Sequence, residues 1–316
     1  SPAIEEGRVY VHFGSYGTAC LDTATGEVLW HRDDLPCRPY RGPSSSVVLF
    51  ENLVILTLDG ADLQYTVALD KQSGKTVWKT ERDVEWNDQN LTGREDPASV
   101  KRIRDGDHRK AHCTPIIVEG PDGQPQMISP GAKATFAYDP RTGKEIWRID
   151  CDDFSVAPRP VFLDGIVYFV TGIPHPELWA IRLGSTGNLT ESDAVLWRLN
   201  SRVAKTASPL LINGLIYMAS DDGIVNCIDA TNGEPVWQKR IGGAVASSPI
   251  YSDGRIYFCN QEGETTVLEP GRKFNALATN TLDDGCMASP AVDGEAIILR
   301  TKTHLYRIET AGVEGN

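Results

Sequence analysis

Six histidines, seven cysteines, scattered basic residues and one tryptophan outside any repeat are the side chains from which chemistry would be built. His108 and His112 stand four apart, a spacing that shares a face only on a helix, whereas His112 directly precedes an apolar run that reads as a strand. The cysteines, at 20, 37, 113, 151, 227, 259 and 286, make no CxxC pair, no adjacent pair and no metal-ligand spacing, and read as small buried side chains. No phosphate-cradling glycine loop, GxSxG elbow or HExxH pattern is present. Arg41, Lys110, Arg159 and Lys205 each precede a strand-like run, and such cations, gathered at one entrance, would focus a positive field on an anionic ligand. With Trp86 and His112 they form the candidate binding face.

The elements that position these groups come from a repeat. DTATGEVLW (Asp22 to Trp30), DKQSGKTVW (Asp70 to Trp78), DPRTGKEIW (Asp139 to Trp147) and DATNGEPVW (Asp229 to Trp237) each place Gly four residues after Asp and Trp four after Gly. A strand ends at Asp, a turn uses the positive φ open to Gly, and a second strand carries Trp. Upstream of each lies an apolar run, a tight turn and a second apolar run, as in SPLLINGLIYMAS from Ser208. Each unit therefore reads as strands A, B, C and D, and repetition at roughly 40 residues describes blades of a β-propeller. The fold class is all-β, with units at about 1–31, 43–80, 112–149, 156–199, 205–240, 245–281 and 286–309, and a tail at 310–316.

Three units depart from the pattern. Unit four inserts GSTGNLTESD before Trp197, unit six replaces the hairpin by EPGRKFNAL, and unit seven lacks a strand D. The missing strand, with a strand A already at Ser1-Pro2, leads us to expect a longer biological chain whose upstream part completes the last blade or adds an eighth. Glu81 to Ala111 is an inserted loop joining strand D to the next strand A. By the topology of a meander it shares a face with the B-to-C loops, GIPHPE (Gly172 to Glu177) among them, and a loop of that length marks a binding surface.

Composition bounds the function. There are 31 Lys and Arg against 43 Asp and Glu, a net charge of -12, which argues against a nucleic-acid or anionic-membrane binder. No run approaches the roughly 18 apolar residues of a membrane span, and no signal peptide is read in this chain. NLT at Asn90 and Asn188 matches a glycosylation acceptor only weakly.

The Asp-x-x-Thr-Gly-x-x-x-Trp hairpins and Ser-Pro strands resemble the pyrroloquinoline-quinone-like (PQQ-like) propeller superfamily, over nearly the whole chain. That superfamily includes the quinoprotein alcohol dehydrogenases and the propeller lipoprotein of outer-membrane barrel assembly; this sequence looks most like its unclassified bacterial secreted members. The resemblance implies that Trp30, Trp78, Trp147, Trp197 and Trp237, with Gly26, Gly74, Gly143 and Gly233, dock neighbouring blades. It also implies a periplasmic or extracellular location. The enzymes of the group bind the quinone PQQ and calcium, commonly against a disulfide of adjacent cysteines, which this chain does not have. Asp59, Asp62, Asp221, Asp222 and Glu262 supply loop carboxylates for calcium. The expectation is a non-catalytic scaffold with no cofactor, binding a protein partner or a small anionic ligand on the loop face. The alternatives are a PQQ- and calcium-dependent dehydrogenase, and a polysaccharide binder using Tyr16, Tyr65 and Trp86.

Overall fold

Each Asp-Gly-Trp hairpin folds by a local mechanism. The Asp22 carboxylate accepts hydrogen bonds from the backbone N–H groups of Ala24 and Thr25, both at 2.8 Å, and Gly26 N–H closes the turn on Asp22 O at 2.9 Å. Asp70 and Asp229 repeat the arrangement with Ser73 and Thr231. Hydrogen bonds favour the ionised carboxyl, so Asp22, through the N–H groups of Thr25 and Ala24, and Asp70, through the Ser73 hydroxyl and N–H, lie below the usual carboxylate range, and Asp229 falls to about 2 through the Thr231 hydroxyl and the Arg272 guanidinium. A β-bulge follows in every hairpin, beside the residue that faces Trp: Cys20 opposite Trp30, Ala68 opposite Trp78, Ala137 opposite Trp147 and Cys227 opposite Trp237.

The computed structural model describes residues 1–86 and 96–309. The chain is a seven-bladed β-propeller of antiparallel sheets, and it divides into two compact units, Ser1–Leu196 and Trp197–Asn316. The boundary falls within the outer strand of blade four. Blade one is Ala3–Glu5, Arg8–His12, Thr18–Asp22 and Val28–Arg32. Blade two is Val48–Phe50, Leu53–Asp59, Gln64–Asp70 and Thr76–Glu81. Blade three is Ile116–Glu119, Pro125–Pro130, Ala134–Tyr138 and Glu145–Asp150; blade four is Val161–Leu163, Ile166–Val170, Leu178–Arg182 and Val195–Leu199.

In the second unit, blade five is Leu210–Ile212, Leu215–Ala219, Ile224–Asp229 and Pro235–Arg240, and blade six is Ile250–Ser252, Arg255–Cys259, Glu264–Leu268 and Ala276–Thr281. Blade seven has three strands among the described residues, Ala291–Asp293, Ala296–Arg300 and Leu305–Ile308. In blade six the Trp register is held by Ala278, opposite Val267, which is why its outer strand is exposed along its length.

Core lies between adjacent blades of the first unit. Val54, Leu56 and Leu58 of blade two meet Tyr10, Cys20 and Trp30 of blade one, while Ile55 and Ala68 meet Met127 and Phe136 of blade three. The tryptophans stitch these layers: Trp30 Nε1 donates to Lys71 O at 2.9 Å and Trp78 Nε1 to Pro140 O at 3.0 Å. In the second unit Trp197 donates to Ala230 O at 3.1 Å and Trp237 to Gly271 O at 3.0 Å. Trp147 differs, because the blade-four insertion stands where a hairpin turn would be. Its Nε1 donates to Gln126 Oε1 of its own blade at 3.0 Å, and Gly187–Asn188 from the insertion adds a parallel fifth strand to blade three.

Candidate functional site

Residues 96–109 of the connection between blades two and three carry regular structure. Asp96-Pro97 starts a helix, α1 (Pro97–Arg104): the Asp96 carboxylate caps the N–H groups of Ala98 and Ser99, and Pro97 occupies a first-turn position where no N–H is needed. Within the 81–111 inserted loop the chain therefore carries a short helix; residues 87–95, with Asn90, lie outside the described residues, as does the 310–316 tail. A short 3₁₀ turn, Asp107–Arg109, follows and buries His108.

Arg82 anchors the start of this segment. Its Nε and Nη2 reach Asp59 Oδ1 and Oδ2 at 2.7 and 2.8 Å, and Nη1 and Nη2 reach Ser129 O and Oγ at 3.1 and 2.9 Å, all buried. Asp59 is therefore the last residue of a strand and a member of an ion pair, not an open loop acid. Sequence reasoning had no signal for this pair, whose partners stand 23 residues apart on different elements.

Beyond Arg82 the chain opens a cleft of about 700 Å³, with walls from Asp83–Trp86, Ile103, His108, Lys133, Arg148, Asp150–Asp152 and Pro174–His175. Trp86 lies edge-on to His108 at 6.3 Å, with the Arg109 guanidinium over its ring at 5.6 Å. The far wall is the GIPHPE loop, tied down by buried Asp153, which accepts from Thr171 Oγ1 at 2.5 Å and His175 N–H at 3.1 Å. Four carboxylate residues line the cleft, Asp83, Glu85, Asp150 and Asp152, all exposed. The two cations among them are engaged: Arg148 with Asp83 O at 3.0 Å and Asp150 at 3.6 Å, Lys133 with Asp152 O at 3.1 Å. The cleft is net acidic. Cys151 also lines it, its thiol pushed up to about 12 by burial.

The predicted basic residues are distributed otherwise. Lys110 is buried; its ammonium binds the carboxylate and carbonyl of Asp107 and sits over the rings of Tyr40 and Phe154 at 5.1 and 5.6 Å. As an open cation at an entrance it is a misreading, since burial against two aromatics needs the Asp107 partner. Arg41 is exposed, and its charge and that of Lys110 both reach His112, whose pKa falls to about 4, chiefly through burial. Arg159 is exposed in the first unit, and Lys205 is exposed in the second, its backbone N–H held by Asp221 at 3.1 Å. His112 Nδ1 pairs with Ser44 Oγ at 2.5 Å while His108 meets Trp86, so the two histidines serve different surroundings.

Most of the remaining loop acids are committed. Asp62 caps Arg38 and Leu63, Asp221 accepts from Lys205 N–H, and Asp222 binds Ser220, Arg202 and Arg240, while Glu262 lies beside Gly243. Among the described residues no three His, Cys, Asp or Glu converge as a metal site. These residues do not fit a calcium and quinone centre, and no chemistry is derived through one. Of the aromatics proposed for glycan, Tyr16 is exposed but Tyr65 is buried, donating to Pro36 O at 2.9 Å. Its expected exposure is overturned by that packing.

Comparison with known proteins follows from this geometry. The family model described as outer membrane protein assembly factor BamB matches residues 1–107 and 65–312. The Yersinia pestis protein of that name is 21% identical over 268 residues, covering 83% of this chain and 59% of that protein. The Alkalilimnicola ehrlichii protein is 25% identical over 238 residues, 74% of this chain and 53% of that protein. The chain thus spans less than two thirds of the length of these relatives. Among solved structures, BamB from Moraxella catarrhalis superposes with a TM-score of 0.67 at 14% identity, over 95% of this chain and 81% of that one. A europium-containing methanol dehydrogenase does so with 0.67 at 12% identity, over 95% and 72%. At these identities the likeness is one of fold.

Proposed function

The chain belongs to the family of outer membrane protein assembly factor BamB, and from that premise we propose that it is a non-catalytic scaffold that docks a polypeptide partner. The docking site is the acidic cleft of the first unit, on the face carrying the B-to-C loops and the 81–111 segment, and the partner is a protein of outer-membrane assembly. One observation carries this reading: Trp86 lines a cleft of about 700 Å³ whose walls come chiefly from four connections, at 83–108, 133, 151–152 and 174–175, with Arg148 and Asp150 of the outer strand of blade three beside them. A large aromatic ringed by charges is the kind of residue that supplies much of the binding energy once a partner covers it. The location proposed with it is periplasmic or extracellular, the compartment in which such a partner is met.

The cleft's charge selects the partner's chemistry. Its exposed carboxylates outnumber its cations, and both cations are already paired, so complementarity favours a segment bearing Lys or Arg. The test is affinity for the partner recovered by in-cell cross-linking, compared between the native protein and Trp86→Ala or Asp83→Lys. Each substitution is expected to weaken binding at least tenfold with an unchanged unfolding midpoint. Saturable quinone uptake with dye-linked alcohol oxidation, and no cleft dependence of partner binding, would replace this reading by the dehydrogenase one.

A further inference from the structure

The junction between blades six and seven, wholly within the second unit, is built without an indole, for no tryptophan follows Trp237 in the sequence. At the register of Trp30 and Trp237 stands Ala278, opposite Val267 and exposed. The consequence is read two strands inward. Tyr10 and Tyr217 each pack on the tryptophan of their own blade, with ring centroids 6.0 Å apart, and both are 0% exposed. Tyr257 holds the same place, paired with Val267 as Tyr217 is with Cys227, yet it is partly exposed.

Tyr257 lines a cleft of about 930 Å³. Blade six contributes Cys259 and Asn280 beside it, and blade seven contributes Val292, Ile297 and Ile308, so the space runs between the two sheets. A cleft of this size with apolar walls takes a large ring and the residues on either side of it.

Charge narrows the occupant. The charged residues of the lining are Asp253, Glu295 and Glu309 against Arg255, which lies 3.8 Å from Asp253. Arg307, behind Glu309 at 2.9 Å, also holds Asp293 at 2.7 Å. Four carboxylates thus meet two guanidinium groups, and complementarity calls for a cation beside the ring. The backbone favours a polypeptide over a small apolar molecule. Ala276–Thr281 is the edge strand of blade six, its Asn280 and Thr281 line the cleft, and an edge strand offers N–H and C=O groups to an extended chain.

We propose that the cleft between blades six and seven receives a tryptophan side chain from a partner polypeptide that carries Lys or Arg next to it. Tyr257 meets that ring as Tyr217 meets Trp237, and the rim carboxylates meet the cation. The site belongs to the second unit, and its failure would leave the docking cleft of the first untouched.

The experiment titrates the whole protein with acetyl-(5-fluoro-Trp)-Lys-amide and follows the fluorine signal by NMR. A saturable shift is expected, about tenfold weaker in Ala278→Trp, where the chain's own indole takes the place, and weaker also in Glu295→Lys. Both positions are exposed, so neither variant should lower the unfolding midpoint. The same dipeptide with Glu in place of Lys should bind less well. No saturable shift, an affinity unchanged in Ala278→Trp, or equal binding of the Glu dipeptide would overturn the proposal. So would 5-fluoroindole binding as tightly as the Lys dipeptide, which would give the cleft to a small aromatic molecule. Sedimentation showing a dimer that Ala278→Trp dissociates would give it to a second copy of the chain, and would overturn the proposal likewise.

Discussion

Trp78 lies so close over Gly143 that a Cβ on the glycine would stand 2.5 Å from the indole ring. Gly74 under Trp30 and Gly233 under Trp197 repeat the relationship, at 2.7 and 2.6 Å. Each of these glycines thus answers two demands, a positive φ in its own hairpin and a flat seat for the preceding blade's tryptophan. Gly26 has the same φ, +74°, and nothing within 4 Å. Gly143→Ala is therefore expected to cost ~3 kcal/mol or more, and Gly26→Ala only the ~1 kcal/mol of its backbone strain. Urea unfolding of the two variants checks the difference, and equal losses would mean that the indole is not seated as described.

The Arg82–Asp59 pair is sealed from solvent at both side chains. Removing one member strands a buried charge, so Asp59→Asn or Arg82→Met should each lose about 3–5 kcal/mol, with the double variant recovering part of it. Arg82 also begins the segment that leads to Trp86. Limited proteolysis between 82 and 111 should accelerate in both single variants.

Burial holds His12 and His112 at about 4, below the 6.5 of an unfolded histidine. Between those values the unfolded chain binds protons that the folded one refuses. Stability from these two residues is full above pH 6.5 and is lost as pH falls towards 4, on the order of 2 kcal/mol per imidazole. His12→Gln with His112→Gln should flatten the slope of the unfolding midpoint in that window. The turn aspartates act lower: with Asp229 near 2, their contribution disappears only as pH falls below 3.8.

Burial likewise raises the cysteine thiols, to about 12 for Cys37 and Cys151 and about 11 for Cys227 and Cys259. At pH 8 roughly a thousandth or less of each is thiolate. The folded protein should react slowly with Ellman's reagent and release seven equivalents on unfolding without reductant. Fewer than seven would reveal a disulfide.

Where one residue type at one spacing has one structural use, the sequence was informative. Asp, Gly and Trp at four-residue intervals specify a capped turn, a positive φ and a seated indole, and the blades follow. The same spacing exposes blade six, where Ala278 takes the tryptophan's register. What depended on tertiary packing was not legible. Lys110 and Arg41 look alike as isolated cations, yet Asp107, Tyr40 and Phe154 bury the first and leave the second open. Helix α1 has a local start signal in Asp96-Pro97 but no amphipathic pattern, because its eight residues carry a single buried apolar side chain, Ile103. The parallel strand at Gly187–Asn188 carries no local signal, for its two residues are placed by the blade-three edge they join.

Partner docking at the cleft is tested most directly by photo-crosslinking in the producing cell. A photoreactive amino acid is placed at Glu85 or His175 in the cleft, and at Lys144 in the hairpin turn of blade three as control. The account predicts adducts with an outer-membrane assembly protein from Glu85 and His175, none from Lys144, and their loss when Trp86→Ala is added. The same adducts from Lys144, or cleft adducts indifferent to Trp86→Ala, would contradict it.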